Sequence, residues 1–233
     1  MYLFIYFIKL YLFRFYYGFI KNRYSKNNIL FKQDVNLTRI SIVNHFINNH
    51  KNKNFLKYLE IGCANNKLFN KVNLNKKAKY GVDPIQGGNI RKTSDNFFRN
   101  NKLFFDIIFI DGDHRYFQVQ KDIINSIKCL KKNGIILIHD CTPVNWESEH
   151  VPRFTEGWSG DVWKVAYELT VSPNNFFRVI KCESGIGFLK ISDNFDYKKI
   201  GRLQNKRFKD YYNLYHKKIR FVSFKELLNQ IKI

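Results

Sequence analysis

Two patterns of apolar residues alternate along residues 35–191, one typical of strands and one of helices. Dense apolar runs predict strands at residues 55–62, 78–84, 105–112 and 133–140. Helical spacing marks residues 36–50, 116–130 and 160–169, and Asn36 or Thr38 could cap the first of these helices. Two further apolar runs, 176–182 and 185–191, are separated by only two residues, Glu183 and Ser184, and so predict an antiparallel hairpin.

Strands that alternate with helices and close on a hairpin predict a single α/β domain. We expect a Rossmann-like, doubly wound, seven-stranded sheet that is parallel except for an antiparallel C-terminal hairpin strand. The third strand is expected in the weakly patterned stretch 89–93. The domain is assigned to residues 35–191, between an aromatic and basic N-terminal extension (1–34) and a basic tail (192–233) with a helix near 221–231.

The chain carries a formal net charge of +21, which raises nucleic acid or an anionic membrane as a partner. The lysines are scattered, and the sequence shows no zinc-finger spacing, RNP-like aromatic motif or Arg-rich tract, so the pattern favours other partners over nucleic acid. Its four cysteines include no close pair, which argues against a zinc ribbon or a disulfide framework. Free thiols are typical of the reducing cytoplasm, where we expect the protein to act.

The first 24 residues are aromatic and apolar, but Lys9 and Arg14 interrupt them. The apolar runs are shorter than the ~20 residues that span a bilayer, and the segment lacks the charge and cleavage pattern of a signal peptide. One interpretation is a helix lying on the inner face of a membrane, with its cations at the headgroups. The other is a helix packed on the domain or on a partner subunit.

The carboxyl ends of the four clearly patterned strands each carry an acidic residue: Glu60, Asp83, Asp111 and Asp140. Ligands of such sheets bind outside the carboxyl ends of the strands. Gly62 would let the backbone approach a ligand, and Asp83 could accept hydrogen bonds from both hydroxyls of a ribose. Enzymes that use NAD and enzymes that use S-adenosylmethionine share this pattern.

The ordered motifs EIG, GVDP, GG, TSDNFF, FDIIFIDGDHRY, GIILIHDCTP and GDVWK resemble those of class I S-adenosylmethionine-dependent methyltransferases. They most resemble the small family, methyltransferase family 24-like, whose members are often encoded with surface-glycan genes. The resemblance covers roughly residues 35–191. It implies S-adenosylmethionine as cofactor, an antiparallel end to the sheet, and methylation of a small-molecule or glycan acceptor.

By this resemblance the cofactor contacts fall on six residues: Glu60, Gly62, Asp83, Ser94, Asp95 and Asp111. Ser94 and Asp95 fall where the family flanks the adenine. The usual glycine-rich turn is altered, because Ala64 and Asn66 replace its last two glycines. Asn tolerates a positive φ and Ala is small, so the turn can keep its backbone conformation while its contacts with the cofactor change.

The strands ending at Asp111 and Asp140 are neighbours in this fold, so Asp113, His114 and His139 should lie near both. One chemistry places Mg²⁺ on Asp111, His139 and Asp140, where it would lower the pKa of an acceptor hydroxyl. The other uses no metal, and His114 or His139 removes the proton as general base; with Asp113 these are the catalytic candidates. A third interpretation is that these side chains only cap helices and bind one another.

All three tryptophans, Trp146, Trp158 and Trp163, lie close together after the fifth strand. Aromatic faces suit sugar rings, and Arg153 or Lys164 could meet an anionic group of the acceptor. Core packing is the favoured interpretation for Trp163.

Three functions are considered. The first, which the family resemblance implies, is O-methylation of a sugar or glycan-type acceptor. The alternative is a non-catalytic methyltransferase-like subunit that docks on a membrane or protein partner. An NAD oxidoreductase would need the full GxGxxG turn, which residues 62–67 lack.

Overall fold

A computed structural model of the protein describes residues 8, 9, 11–13, 15, 16, 37–153, 155–197 and 203–231. The strands are β1 (Tyr58–Ile61), β2 (Lys79–Val82), β3 (Phe105–Ile110), β4 (Leu130–Ile138), β5 (Asn175–Ile180), β6 (Ile186–Ile191) and β7 (Phe221–Val222). The helices are α1 (Arg39–Asn48), α2 (Ser94–Asn100), α3 (Tyr116–Lys128), α4 (Trp146–Glu149), α5 (Trp163–Val171), α6 (Phe208–Asp210) and α7 (Phe224–Ile231).

The seven strands form one sheet in the order β2-β1-β3-β4-β6-β5-β7. β2, β1, β3 and β4 are parallel, whereas β6 runs antiparallel to both β4 and β5. The expected doubly wound α/β sheet with a C-terminal antiparallel hairpin is therefore confirmed. Buried clusters on both faces hold it between layers of helices.

The central strands are buried along their whole length, which is why they appear in the sequence as continuous apolar runs. All four residues of β1 and all six of β3 are buried. Polar residues directly follow β3 and β4, and β1, β3 and β4 are paired in register, so their carboxyl ends meet at one edge of the sheet.

The third predicted strand is wrong. Residues 89–93 form a loop, and only Ile90 makes a single bridge, to Val82. The seventh strand is instead β7, which pairs parallel with β5 and lies in the segment assigned to the tail. Two residues give too little pattern to predict a strand. The helix expected near 221–231 is present as α7.

The N-cap of α1 sets the direction of the chain as it enters the domain. The Thr38 hydroxyl accepts a hydrogen bond from the Ser41 backbone N–H (3.2 Å), and the Ser41 hydroxyl accepts one from the Thr38 N–H (2.9 Å). Arg39 is the first residue of this helix. The capping box therefore fixes the point from which the Arg39 side chain reaches the edge of the sheet.

Most of the predicted N-terminal extension lies outside the described residues. The described positions between 8 and 16 are helical, and Tyr11, Leu12 and Phe15 are exposed there by 71%, 58% and 55%. The ring of Phe13 meets that of His150 edge to face, with 4.8 Å between centroids. Within the described part of the chain, every helix is too short or too polar to cross a bilayer.

Candidate active site at the carboxyl ends of the strands

A cavity of about 410 Å³ opens where the carboxyl ends of β1, β3 and β4 meet. One wall is the turn after β1, from Gly62 to Asn65. The lining also includes Asp111, His114, His139 and Asp140 from the ends of β3 and β4, and Arg153 and Trp158 from the loop between α4 and α5. The volume lies within the range of about 300–1,000 Å³ that is usual for small-molecule sites.

Gly62 is required because two backbone segments cross at this position. Its φ is +83°, and a Cβ atom there would lie 2.1 Å from the carbonyl oxygen of Asp111. Any side chain would push the β1 turn away from the end of β3. Gly62 therefore serves the packing of the two walls against each other.

The Asp83 carboxylate holds the turn in place instead of lining the cavity. Its Oδ2 accepts hydrogen bonds from the backbone N–H groups of Cys63 (3.0 Å) and Ala64 (2.9 Å). Its Oδ1 accepts from those of Ile85 and Gln86, at 2.9 Å each. Burial raises the pKa of this carboxyl, but these four donors bring it below its usual value.

The altered turn keeps the backbone conformation that glycines would give it. Ala64 has a φ of 42° and Asn66 a φ of 61°, both in the left-handed region. The Asn66 Oδ1 accepts a hydrogen bond of 2.6 Å from the Gly88 N–H, which ties the turn to the loop after β2. The Asn side chain thus supports a turn whose usual glycine it replaces.

Asp111, His139 and Asp140 converge in the cavity, as the sequence predicted, and each offers a ligand atom within 4.8 Å of the others. His139 Nδ1 lies 3.2 Å from Asp111 Oδ1 and 3.0 Å from Asp140 Oδ2. Asp140 has a φ of 59°, an unusual conformation for a residue other than glycine, so local strain accompanies the position of this carboxylate.

His114 lies beside this group and is held by the loop that covers it. Its Nδ1 lies 2.8 Å from the carbonyl oxygen of Trp158, and its ring stacks on that indole with 5.1 Å between centroids. Its Nε2 lies 3.3 Å from Asp111 Oδ1. A carbonyl only accepts, so Nδ1 carries the hydrogen and Nε2 faces the carboxylate.

Attraction between opposite charges dominates the pKa values of the two histidines and of Asp111. Burial disfavours the charged imidazoles, but Asp111 and Asp140 raise the pKa of His139 well above its usual value, and Asp111 raises that of His114. Burial also disfavours the Asp111 carboxylate, yet the two histidines hold its pKa well below the usual range. The acidic and basic side chains therefore stabilise one another's charged forms.

Glu60 also lines the cavity, and the environment of its carboxyl group is different. It is 2% exposed and accepts a hydrogen bond of 2.7 Å from the Tyr58 hydroxyl. Burial raises the pKa of Glu60 to about 7, with Asp111 adding to the rise and the Tyr58 bond opposing it. This side chain can therefore gain or lose a proton near neutral pH.

Besides Asp83, three predicted site residues lie away from the cavity. Asp113 pairs with the guanidinium of Arg115 at the start of α3. Ser94 Oγ and Asp95 Oδ1 each accept a hydrogen bond of 3.1 Å from the Gln118 side-chain amide, between α2 and α3. None of the three is among the residues that line the cavity.

The tryptophan segment divides between packing and the cavity. Trp163 is fully buried, and Trp146 packs on the core, whereas Trp158 lines the cavity. Lys164 is also fully buried, with its Nζ 2.7 Å from Asp161 Oδ2. Its suggested role in binding an anionic acceptor is wrong, because this ammonium lies inside the protein.

Two residues of the site, Arg39 and Glu183, were not predicted. Arg39 Nη1 lies 3.2 Å from Asp111 Oδ2, and Glu183 Oε2 lies 2.9 Å from His139 Nε2. Both are far from the strand tips in sequence and belong to no recognised motif. The only available signal was the position of Glu183 in the predicted hairpin turn, whose strand β6 adjoins β4.

Residues 33–141 match a family model described as a methyltransferase domain. The matched segment contains all four acidic strand ends. It supports the enzyme class predicted from the motifs, an S-adenosylmethionine-dependent methyltransferase. A search of curated proteins finds no match to the chain.

Solved structures of methyltransferases share the fold. A Staphylococcus aureus protein assigned as a caffeoyl-CoA O-methyltransferase is 14% identical, with 78% of this chain and 92% of that chain covered and a TM-score of 0.51. A Klebsiella pneumoniae protein assigned as an O-methyltransferase is 13% identical, with 70% and 84% covered and a TM-score of 0.50. At these identities the likeness establishes the fold alone, which agrees with the doubly wound sheet that the sequence predicted.

Proposed function

We propose that the protein is an S-adenosylmethionine-dependent O-methyltransferase acting on a sugar or glycan-type small molecule. The observation that carries the proposal is the cavity in which the turn after β1 faces two carboxylates and two imidazoles at the ends of β3 and β4. Cofactor and acceptor could meet there, at the edge of the sheet where such folds bind ligands.

The lining of the cavity fits the cofactor. The carboxyl groups of Glu60, which is buried, and Asp111, which is half-buried, could attract a cationic ligand, and the turn 62–65 offers a backbone surface beside them. S-adenosylmethionine, when bound, supplies a methyl group activated by its sulfonium charge. Asp83 acts through the turn, since its carboxylate already receives four backbone N–H groups.

His114 is the residue we propose to take the acceptor proton. Its Nδ1 donates to the Trp158 carbonyl, so Nε2 is the atom that can receive a proton in the cavity. His139 is more enclosed, between Asp111, Asp140 and Glu183. Positioning of the acceptor and removal of this one proton are the main tasks left to the protein.

The three convergent ligand atoms of Asp111, His139 and Asp140 fit a divalent cation, as the sequence suggested for Mg²⁺. Carboxylate oxygens and an imidazole nitrogen are common ligands of such ions. A cation here would stand beside the acceptor hydroxyl and favour its ionised form.

A sugar acceptor is supported by Trp158 and Arg153, which line the same cavity. The indole offers a flat apolar surface for a sugar ring, and the guanidinium offers donors to hydroxyl or anionic groups. The acceptor would enter beside the loop that carries both residues.

Calorimetric titration with S-adenosylmethionine tests the proposal, with NAD as the control ligand. We expect micromolar binding of S-adenosylmethionine, none of NAD, and a large loss of affinity in Asp111→Asn. Asp113→Asn is the matched control, because this carboxylate pairs with Arg115 outside the cavity. No binding by the folded protein would favour the non-catalytic subunit, and equal losses in both variants would refute the assignment of this cavity.

We also propose that the protein acts in the cytoplasm, with residues 1–24 touching the inner face of a membrane. The four cysteines are buried free thiols, as expected in a reducing compartment. Exposed Tyr11, Leu12 and Phe15 offer apolar surface to an interface. Deleting residues 1–24 should sharply reduce co-sedimentation with anionic liposomes, and unchanged partitioning would refute the contact.

A further inference from the structure

His139 has two ring nitrogens in different surroundings. Nε2 lies 2.9 Å from Glu183 Oε2. Nδ1 is buried and, among the described residues, forms no hydrogen bond of acceptable geometry, although Asp111 Oδ1 and Asp140 Oδ2 lie 3.2 Å and 3.0 Å away. The buried nitrogen and the two carboxylate oxygens thus face one point without forming hydrogen bonds with one another.

Glu183 is itself fixed in place from α1. Its Oε1 accepts a hydrogen bond of 3.0 Å from the Arg39 backbone N–H, while Oε2 faces His139. Its φ of 48° is left-handed, an unfavourable conformation for glutamate. The carboxylate is therefore held by two elements, the start of α1 and the turn between β5 and β6.

The contacts at Nε2 indicate which nitrogen carries a hydrogen when the ring is neutral. Arg39 Nη1 lies 3.3 Å from Nε2, but the Glu183 oxygen is closer and can only accept. The Arg39 guanidinium has another acceptor in Asp111 Oδ2, at 3.2 Å. Nε2–H donating to Glu183 satisfies all these groups and leaves the Nδ1 lone pair facing Asp111 and Asp140.

We propose that Glu183 is a positioning residue that orients His139 as a nitrogen ligand through Nδ1, and that the resulting site prefers Mn²⁺ or a similar transition ion to Mg²⁺. The proposal rests on the cation site of the proposed function. Histidine ligands commonly donate their second N–H to a carboxylate, which fixes the ring. Any proton on Nδ1 is released to solvent when the ion binds.

The donor set decides the preference between ions. Mg²⁺ favours oxygen ligands only, whereas an imidazole nitrogen suits the first-row transition ions. Replacing the nitrogen by an oxygen, as in His139→Asp, should therefore reduce the preference for Mn²⁺ over Mg²⁺. This variant tests the ligand role separately from the positioning role.

The experiment is a titration of the metal-free full chain with Mn²⁺, followed by the electron paramagnetic resonance of the free ion, and a parallel calorimetric titration with Mg²⁺. Glu183→Gly removes the carboxylate and suits the left-handed φ, so we expect it to fold. It should bind Mn²⁺ about 10–100-fold more weakly, the usual cost of losing such a partner. Glu183→Gln, which keeps an acceptor oxygen, should recover part of the affinity.

Glu156→Gln is the matched control, since Glu156 lines the same cavity and is exposed. Its Mn²⁺ affinity should equal that of the unaltered chain. Unchanged affinity in Glu183→Gly, tighter binding of Mg²⁺ than of Mn²⁺, or no metal binding at all would overturn the inference. S-adenosylmethionine titrated into the same samples separates these results from failure of the proposed methyltransferase function.

Discussion

Glu60 provides a test of the cofactor site that depends on pH. Its side chain lines the cavity, and burial raises its pKa to about 7. If the ionised carboxylate attracts the positive charge of S-adenosylmethionine, affinity should rise as the pH increases through 7. Glu60→Gln, which is close in shape and cannot ionise, should remove this dependence.

The size of the effect follows from the fraction of Glu60 that is ionised. With a pKa of about 7, roughly one tenth of the side chains are ionised at pH 6 and roughly nine tenths at pH 8. If only the ionised form binds well, the apparent dissociation constant falls about tenfold over this interval, because affinity scales with the competent fraction.

The assay is calorimetric titration at pH 6, 7 and 8 for the unaltered chain and Glu60→Gln. The amino group of the cofactor also titrates, but equally for both proteins, so the difference between their pH profiles isolates Glu60. S-adenosylhomocysteine lacks the sulfonium charge and should show a smaller difference. Parallel pH profiles for the two proteins would refute the reasoning.

Three further predictions concern the free energy of unfolding, measured with urea. Ala64→Gly should stabilise the protein by about 0.5–1 kcal/mol, because it relieves the left-handed φ of Ala64; no gain would argue against strain in the turn. Lys164→Met should destabilise it by about 3–5 kcal/mol, since it leaves Asp161 buried without its partner; a loss below about 1 kcal/mol would contradict this. Burial raises the pKa of Glu149 to about 8, so the folded chain keeps a proton that the unfolded chain loses above pH 4.5. The contribution of the protonated Glu149 to the free energy of unfolding is intact below pH 4.5 and is lost progressively between pH 4.5 and pH 8. Over this interval Glu149→Gln should gain stability relative to the unaltered chain by up to about 1.4 kcal/mol per pH unit. A difference between the two proteins that stays constant with pH would refute this.

The sheet was predictable because its central strands are buried on both faces and so appear as unbroken apolar runs. Their acidic ends stood out for the same reason, since Asp111 and Asp140 each follow such a run. The pairing of β3 with β4 then brought Asp111, His139 and Asp140 together. Where apolar periodicity is strong, the fold and the nearby chemistry could be predicted together.

The remaining parts of the site depend on contacts that leave no periodic trace. Arg39 meets Asp111 across 72 positions of the chain, and its backbone meets Glu183 across 144. Asp113 was predicted in the site because it lies two residues after Asp111, but its side chain instead pairs with Arg115. Side-chain direction after a strand ends is decided by individual contacts, near or far along the chain, that apolar periodicity does not encode.

The short strand β7 completes the sheet, and its residues lie far from the cavity. The Val179 N–H donates to the Arg220 carbonyl and the Lys181 N–H to that of Val222, so β7 occupies one edge of β5. A nascent chain that has reached only residue 191 would present that edge uncovered, and open edges of this kind recruit strands from other molecules. During synthesis, the interval before residues 221 and 222 emerge is therefore when we expect this protein to be most prone to aggregate and most dependent on chaperones.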